Sequence, residues 1–161
     1  MCIISKAKAK DADELIEYFK KVGGETDNLS FGSEGLPFTV QEEAEYLLHL
    51  ENSKDGIMLL AKDNGKIVGN ASLSRFPRRM SHRGEISVTV LKDYWNRGIG
   101  GQLLGKIIEF AKANAFDIID LQVRNDNLSA IHLYEKFGFK TIGTHPSFFK
   151  DIPFDYMYLE L

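Results

Sequence analysis

The spacing of apolar positions changes several times along the chain, and each change marks an element. Ile3–Ala7 is a short apolar segment that predicts a first strand. Leu15, Ile16, Phe19 and Val22 then follow at helical spacing. Asp11 with Glu14 three residues later has capping-box spacing, and Gly23-Gly24 supplies a stop. Residues 25–37 mix acids, glycines and a proline without a period, which predicts a long loop of the kind that carries function or mobility. Thr39 and Glu42 form a second capping box ahead of a helix carrying Ala44, Leu47, Leu48 and Leu50.

Ile57–Ala61 is a continuous apolar run, as in a strand buried on both faces. Asp63-Asn64-Gly65-Lys66 is a type I′ hairpin signal, so Ile67–Phe76 pairs antiparallel with the preceding strand. Residues 76–83 form a basic turn. Glu85–Val90 alternates, with Ile86, Val88 and Val90 on one face and Glu85, Ser87 and Thr89 on the other. Leu103, Leu104, Ile107, Ile108 and Ala111 make a helical stripe, and Phe116–Val123 is another strand. Strand, helix and strand in this order predict a parallel crossover. A short helix runs to Phe137 and stops at Gly138. Lys140–Thr144 and Tyr156–Leu161 read as a closing antiparallel pair separated by a Pro- and Phe-containing loop. The predicted architecture is α/β, with a mixed, mainly antiparallel central sheet flanked by helices, in a single domain over residues 1–161.

Composition narrows the setting. With 161 residues the chain can bury a substantial core, and its net charge of −3 gives no support to a nucleic-acid partner. Its single cysteine, Cys2, excludes an internal disulfide and a multi-cysteine zinc site. With no signal-like or membrane-spanning apolar run, a cytoplasmic location is expected. His49, His82, His132 and His145 show no metal-ligand spacing.

Candidate chemistry concentrates in Val88–Lys106, where a β-branched run gives way to a basic, glycine-rich turn that opens a helix. Glycines admit close backbone approach, a helix start offers unpaired N–H groups and the positive end of its dipole, and Arg97 adds a full charge. The stretch is suited to an anion. Gly100–Lys106 matches the spacing of a nucleotide-triphosphate loop, but Ile107 replaces the hydroxyl residue that would bind magnesium. Gly98-Ile99-Gly100 begins a dinucleotide fingerprint, but Leu103 stands at the third glycine.

A third reading accounts for more residues. Val90, Tyr94, Arg97-Gly98-Ile99-Gly100 and Leu103 resemble motif A of the GNAT superfamily of N-acetyltransferases. Asn127, Ala130-Ile131, Leu133-Tyr134 and Gly138-Phe139 resemble its motif B. Trp95 departs from the pattern, which has Gln or Arg there.

The resemblance implies a GNAT-like acyl-CoA transferase fold, acetyl-CoA as co-substrate, no metal, and a primary amine acceptor, either a small molecule or a protein amine, that attacks directly in a ternary complex. It implies cofactor contacts from Val88, Val90, Trp95, Asn96, Arg97, Gly98, Ile99, Gly100, Gly101, Asn127 and Tyr134. The backbone of Val88 and Val90 would pair with the pantetheine arm as an added strand does, and the Val90 N–H would face the thioester carbonyl. Tyr134 would protonate the departing sulfur, and Glu85 would take the amine proton directly or through water.

Each residue also has a structural role open to it. Tyr134 fits an aromatic core anchor, Glu85 a solvated strand-edge acid and Asn127 a helix N-cap. The acceptor is not legible. Glu25, Asp27 and Glu34 in the long loop favour a cationic amine, whereas Arg75, Arg78, Arg79, His82 and Arg83 favour an acidic one or a solvated hairpin tip. Phe148, Phe149, Phe154 and Tyr156 suit an acceptor pocket, a homodimer surface or core packing. A non-catalytic acyl-CoA sensor or interaction module is the alternative function.

Overall fold

The structure, a computed structural model, describes residues 2–161. In chain order the elements are β1 (Cys2–Lys6), α1 (Ala12–Glu25), α2 (Val40–Leu50), β2 (Gly56–Asp63), β3 (Lys66–Arg75), β4 (Arg83–Val90), α3 (Ile99–Ala113), β5 (Ile118–Arg124), α4 (Leu128–Lys136), β6 (Lys140–Phe149) and β7 (Ile152–Glu160). The strands form one sheet in the order β1-β2-β3-β4-β5-β7-β6. Only β4 and β5 pair in parallel; the other pairings are antiparallel. The mixed, mainly antiparallel sheet read from the sequence is the one observed.

Local signals explain several boundaries. Asn64 and Gly65 take positive φ angles of 49° and 78°, which matches the twist of the β2–β3 hairpin. At the start of α2 the Glu42 N–H donates to Thr39 Oγ1 at 3.1 Å, and the Glu42 carboxylate accepts from the Thr39 N–H at 2.9 Å. The expected box at α1 does not form. Asp11 instead accepts from the Lys8 N–H at 2.8 Å and from Lys62 Nζ at 2.6 Å, while Glu14 accepts from the Ile67 N–H at 2.7 Å. These carboxylates tie the front of α1 to the β2–β3 hairpin.

Gly23-Gly24 does not stop α1, which continues to Glu25. A Cβ on Gly23 would lie 2.2 Å from the Gly32 carbonyl oxygen, so that glycine admits the following loop against the helix. Phe31 from this loop stacks edge-on against Phe19 at 6.0 Å.

The strand at Glu85–Val90 forms as expected, but its Glu85–Ser87–Thr89 face is not uniformly exposed. Thr89 is buried, and its hydroxyl hydrogen-bonds the Tyr18 hydroxyl of α1 at 2.8 Å. Residues 145–155 are not a loop, because β6 and β7 extend through them to a tight turn at Lys150-Asp151. Pro146 is accommodated because β6 is the sheet edge and one side needs no ladder donor.

The basic cluster divides. Arg75 sits over the Phe116 ring at 3.8 Å, and Arg83 pairs with Asp120 at 2.8 Å. Arg78, Arg79 and His82 remain exposed.

Candidate active site

The parallel pair at the centre of the sheet comes apart. β4 and β5 align at Arg83–Ile118, Gly84–Ile119 and Glu85–Asp120, after which β4 runs on to Val90 and β5 to Arg124 without further mutual pairing among the described residues. Two bonds fix which backbone groups face the opening. The Leu91 N–H donates to Val68 at 2.9 Å, and the Phe76 N–H donates to Arg83 at 3.0 Å. Odd-numbered residues of β4 therefore bond towards β3, and strand alternation turns the N–H and C=O groups of Ile86, Val88 and Val90 into the split. That edge can accept an extended, amide-bearing ligand as an added strand.

The glycine turn follows β4 at the open end of the split. Asn96 and Gly98 take φ angles of 60° and 78°, which brings the chain sharply into α3. Ile99, the first residue of that helix, is buried and fixes its first turn. The free N–H groups and dipole of that turn give it anion affinity. Arg97 lies over the Tyr94 ring at 4.9 Å, with its charge at the same end. Gly100 and Gly101 sit within the helix, where added Cβ atoms would meet Leu133 at 3.3 and 3.5 Å. Their evident packing role is the close approach of α3 and α4. Trp95 turns back towards β4, and its indole N–H donates to the Val90 carbonyl at 2.8 Å.

α4 begins at Asn127, whose side-chain oxygen accepts from the Ala130 N–H at 3.3 Å; the expected N-cap is present. Tyr134 is 8% exposed and packs on Phe139 at 5.6 Å. Its hydroxyl makes no hydrogen bond among the described residues, yet it is not sealed from solvent. Burial pushes its phenol up to about 12, so it stays protonated at neutral pH.

The sheet places Tyr134 and Glu85 on opposite sides. Gly69, the partner of Val90, packs against Ile99 and Leu103 of α3, and α4 lies beside that helix. Glu85 shares the opposite face with Thr89, which meets α1. Glu85 is half-buried at the last paired position before the split, with no hydrogen bond or ion pair among the described residues.

Two of the three loop acids expected near an acceptor are engaged elsewhere. Glu25 accepts from the Lys92 N–H at 2.7 Å, and Glu34 accepts from the Gly32 N–H at 2.9 Å. Asp27 is exposed. Phe148, Phe149 and Phe154 pack together on the β6–β7 hairpin, with Tyr156 edge-on to Phe148 at 6.2 Å. Among the described residues no group of side chains is arranged to hold a metal ion.

Glu43 escaped the sequence reading. It is 5% exposed on α2 and has no hydrogen bond or ion pair among the described residues. Its place one turn before Leu47 on the helix's apolar stripe was the available signal. Burial holds its carboxyl above the ordinary range. The folded state therefore loses stability as pH rises from the unfolded carboxylate pKa, about 4.3, through the raised folded one. E43Q is expected to raise the thermal midpoint at pH 7 by a few degrees, with the gain shrinking below about pH 4; melts at the two pH values check this.

A parallel crossover whose strands part beside a basic glycine turn defines the acyl-CoA N-acyltransferase class of fold. The model of the acetyltransferase (GNAT) family matches residues 26–139, and the chain belongs to that family. An acetyltransferase of the GNAT family from Streptococcus pneumoniae superposes with a TM-score of 0.95 at 33% identity, covering 100% of this chain and 99% of that one. The yncA protein of Salmonella typhimurium, solved with acetyl-CoA, shares the fold with a TM-score of 0.85 at 18% identity, covering 100% of this chain and 94% of that one. By sequence, the N-alpha-acetyltransferase RimI of Mycobacterium tuberculosis is 33% identical over 91 residues, 56% of each chain. The match spans between 24% and 56% of the length of the curated relatives. No described helix is long and apolar enough to cross a membrane.

Proposed function

We propose that the protein transfers an acetyl group from acetyl-CoA to a primary amine by direct attack in a ternary complex, with residues 1–161 acting as one catalytic domain. The observation that carries this reading is the split between β4 and β5, which leaves a backbone edge of β4 unpaired beyond Glu85; the positions of Glu85 at its start and of Tyr134 on the helix that follows β5 support their roles. Relatives named for N-alpha-acetylation and for acetylation of L-amino acids support an amine acceptor without choosing between protein and small molecule. A cytoplasmic setting belongs to the same proposal and rests on the lone Cys2.

In this mechanism the Val88 and Val90 backbone holds the pantetheine arm in extended form. The turn from Asn96 through Gly101, which follows Trp95, receives the pyrophosphate with its N–H groups and Arg97. Asn127 lies at the start of α4, where its remaining donors can meet the arm. Bound there, acetyl-CoA supplies an activated acyl group. Glu85 takes the proton of the attacking ammonium, directly or through water, and the Val90 N–H faces the carbonyl oxygen that gains charge. Tyr134 delivers a proton to the sulfur as the carbon–sulfur bond breaks, and the second proton shed by the adduct nitrogen restores the phenol through solvent.

The test is thiol release over a panel of amino acids, polyamines and peptide N-termini. Turnover on at least one amine is expected; calorimetric CoA binding without turnover on any would favour the sensor alternative. E85Q is expected to lower kcat by about 10- to 100-fold and to flatten the rise in rate towards alkaline pH. An unaltered pH profile would remove Glu85 from the proton path.

A further inference from the structure

Trp95 is the chain's one tryptophan. Its backbone is fixed, because the Trp95 N–H donates to Lys92 at 3.1 Å and closes a short turn after β4. Its side chain is 44% exposed and makes one polar contact, the 2.8 Å bond from the indole N–H to the Val90 carbonyl. That carbonyl belongs to the edge of β4 that faces the split. An amide-bearing arm lying along this edge as an added strand needs carbonyl acceptors as well as N–H donors. The carbonyl oxygen has two lone pairs, but an indole bonded at 2.8 Å also brings its ring against that oxygen, on the edge where an incoming amide must approach.

We propose that the Trp95 indole is an internal competitor for the cofactor-binding edge: it satisfies the Val90 carbonyl and is displaced when the pantetheine arm binds. The proposal rests on the acetyl-CoA reading above. Trp95 then lowers cofactor affinity while keeping the end of an unpaired strand satisfied. Displacement needs only side-chain rotation, since the indole is solvent-facing and the backbone bond to Lys92 is unaffected. The contact exchanges one neutral hydrogen bond for another, so its effect on affinity is bounded at about two- to tenfold.

Two measurements on the full chain test this. The first is calorimetric binding of CoA, and of adenosine 3′,5′-bisphosphate, to wild type and W95F. Because the bisphosphate lacks the arm, W95F is expected to bind CoA about two- to tenfold more tightly and the bisphosphate with unchanged affinity. The second is fluorine NMR of protein labelled with 5-fluorotryptophan, which reports Trp95 alone and needs no substitution. The resonance is expected to move on saturation with CoA and to stay in place with the bisphosphate. Equal or weaker CoA binding by W95F, or a resonance that does not move at CoA saturation, would overturn the proposal. If neither protein binds CoA while both show folded circular dichroism, the cofactor reading fails and the competition with it.

Discussion

Tyr134→Phe is expected to lower kcat by about two orders of magnitude while leaving CoA affinity within about twofold. The substitution removes one oxygen and keeps the ring that packs on Phe139, so the core changes little. The hydroxyl has no hydrogen-bond partner among the described residues, so its loss strands no buried group. With its phenol pushed up to about 12, Tyr134 keeps its proton throughout the working pH range. Its loss should therefore depress the rate evenly from about pH 6 to 9, unlike the pH-dependent loss predicted for E85Q. Poor thiol leaving groups should suffer most and activated thioesters least. Single-turnover kinetics with a series of thioesters would measure this, and an unchanged kcat would remove the acid role from Tyr134.

The largest expected stability loss comes from a residue outside the split. Arg75 donates to Asp55 at 2.9 Å, to the Ser81 and Asn114 carbonyls at 2.6 Å each, and to the Lys54 carbonyl at 3.2 Å, while its guanidinium covers the Phe116 ring. One side chain thereby joins the approach to β2, the end of β3, the basic turn and the turn after α3. Arg75→Ala removes every bond at once and uncovers the ring, so a loss of about 3 kcal/mol is expected, on the order of a 10 °C fall in Tm. Arg75→Lys keeps the charge but loses the planar fork, and should recover only a minor part. Because Arg75 lies away from the open end of the split, the folded fraction at low temperature should keep near-normal kcat. Thermal melts and kinetics well below the midpoint separate the two effects.

The contrast between these residues shows what a linear pattern reveals. The β2–β3 hairpin, the α2 cap and the parallel crossover were legible because each depends on residues a few positions apart. Gly23 was misread because its role lies in the approach of Gly32, which no helical period encodes. The burial of Thr89 has no local signal, because its partner, Tyr18, comes from a distant part of the chain. β6 was cut short because a proline argues against a strand unless the strand is known to be an edge. Arg75 looked like one more charge in a basic cluster, although its acceptors are mostly backbone carbonyls that any sequence would supply. The candidate site followed the same division. The glycine turn and Tyr134 were visible as motif positions, whereas the bond from Trp95 to Val90 and the burial of Glu43 emerge only once helices and strands are packed.

The position of β7 has a consequence for biogenesis. β5 is held to β4 at Arg83–Glu85 but to β7 along all of Ile118–Arg124, and β7 is the last strand of the sheet to be synthesised. A nascent chain that has emerged as far as β6 already carries Glu85, the glycine turn and Tyr134, yet the strand that anchors the far wall of the split has not been made. The earlier strands can assemble by local hairpins while translation continues, but β5 must wait with one edge open. Formation of the split is thereby coupled to completion of β7, and a ribosome stalled before that strand holds a chain in which Glu85, the glycine turn and Tyr134 are made but the far wall has no anchor.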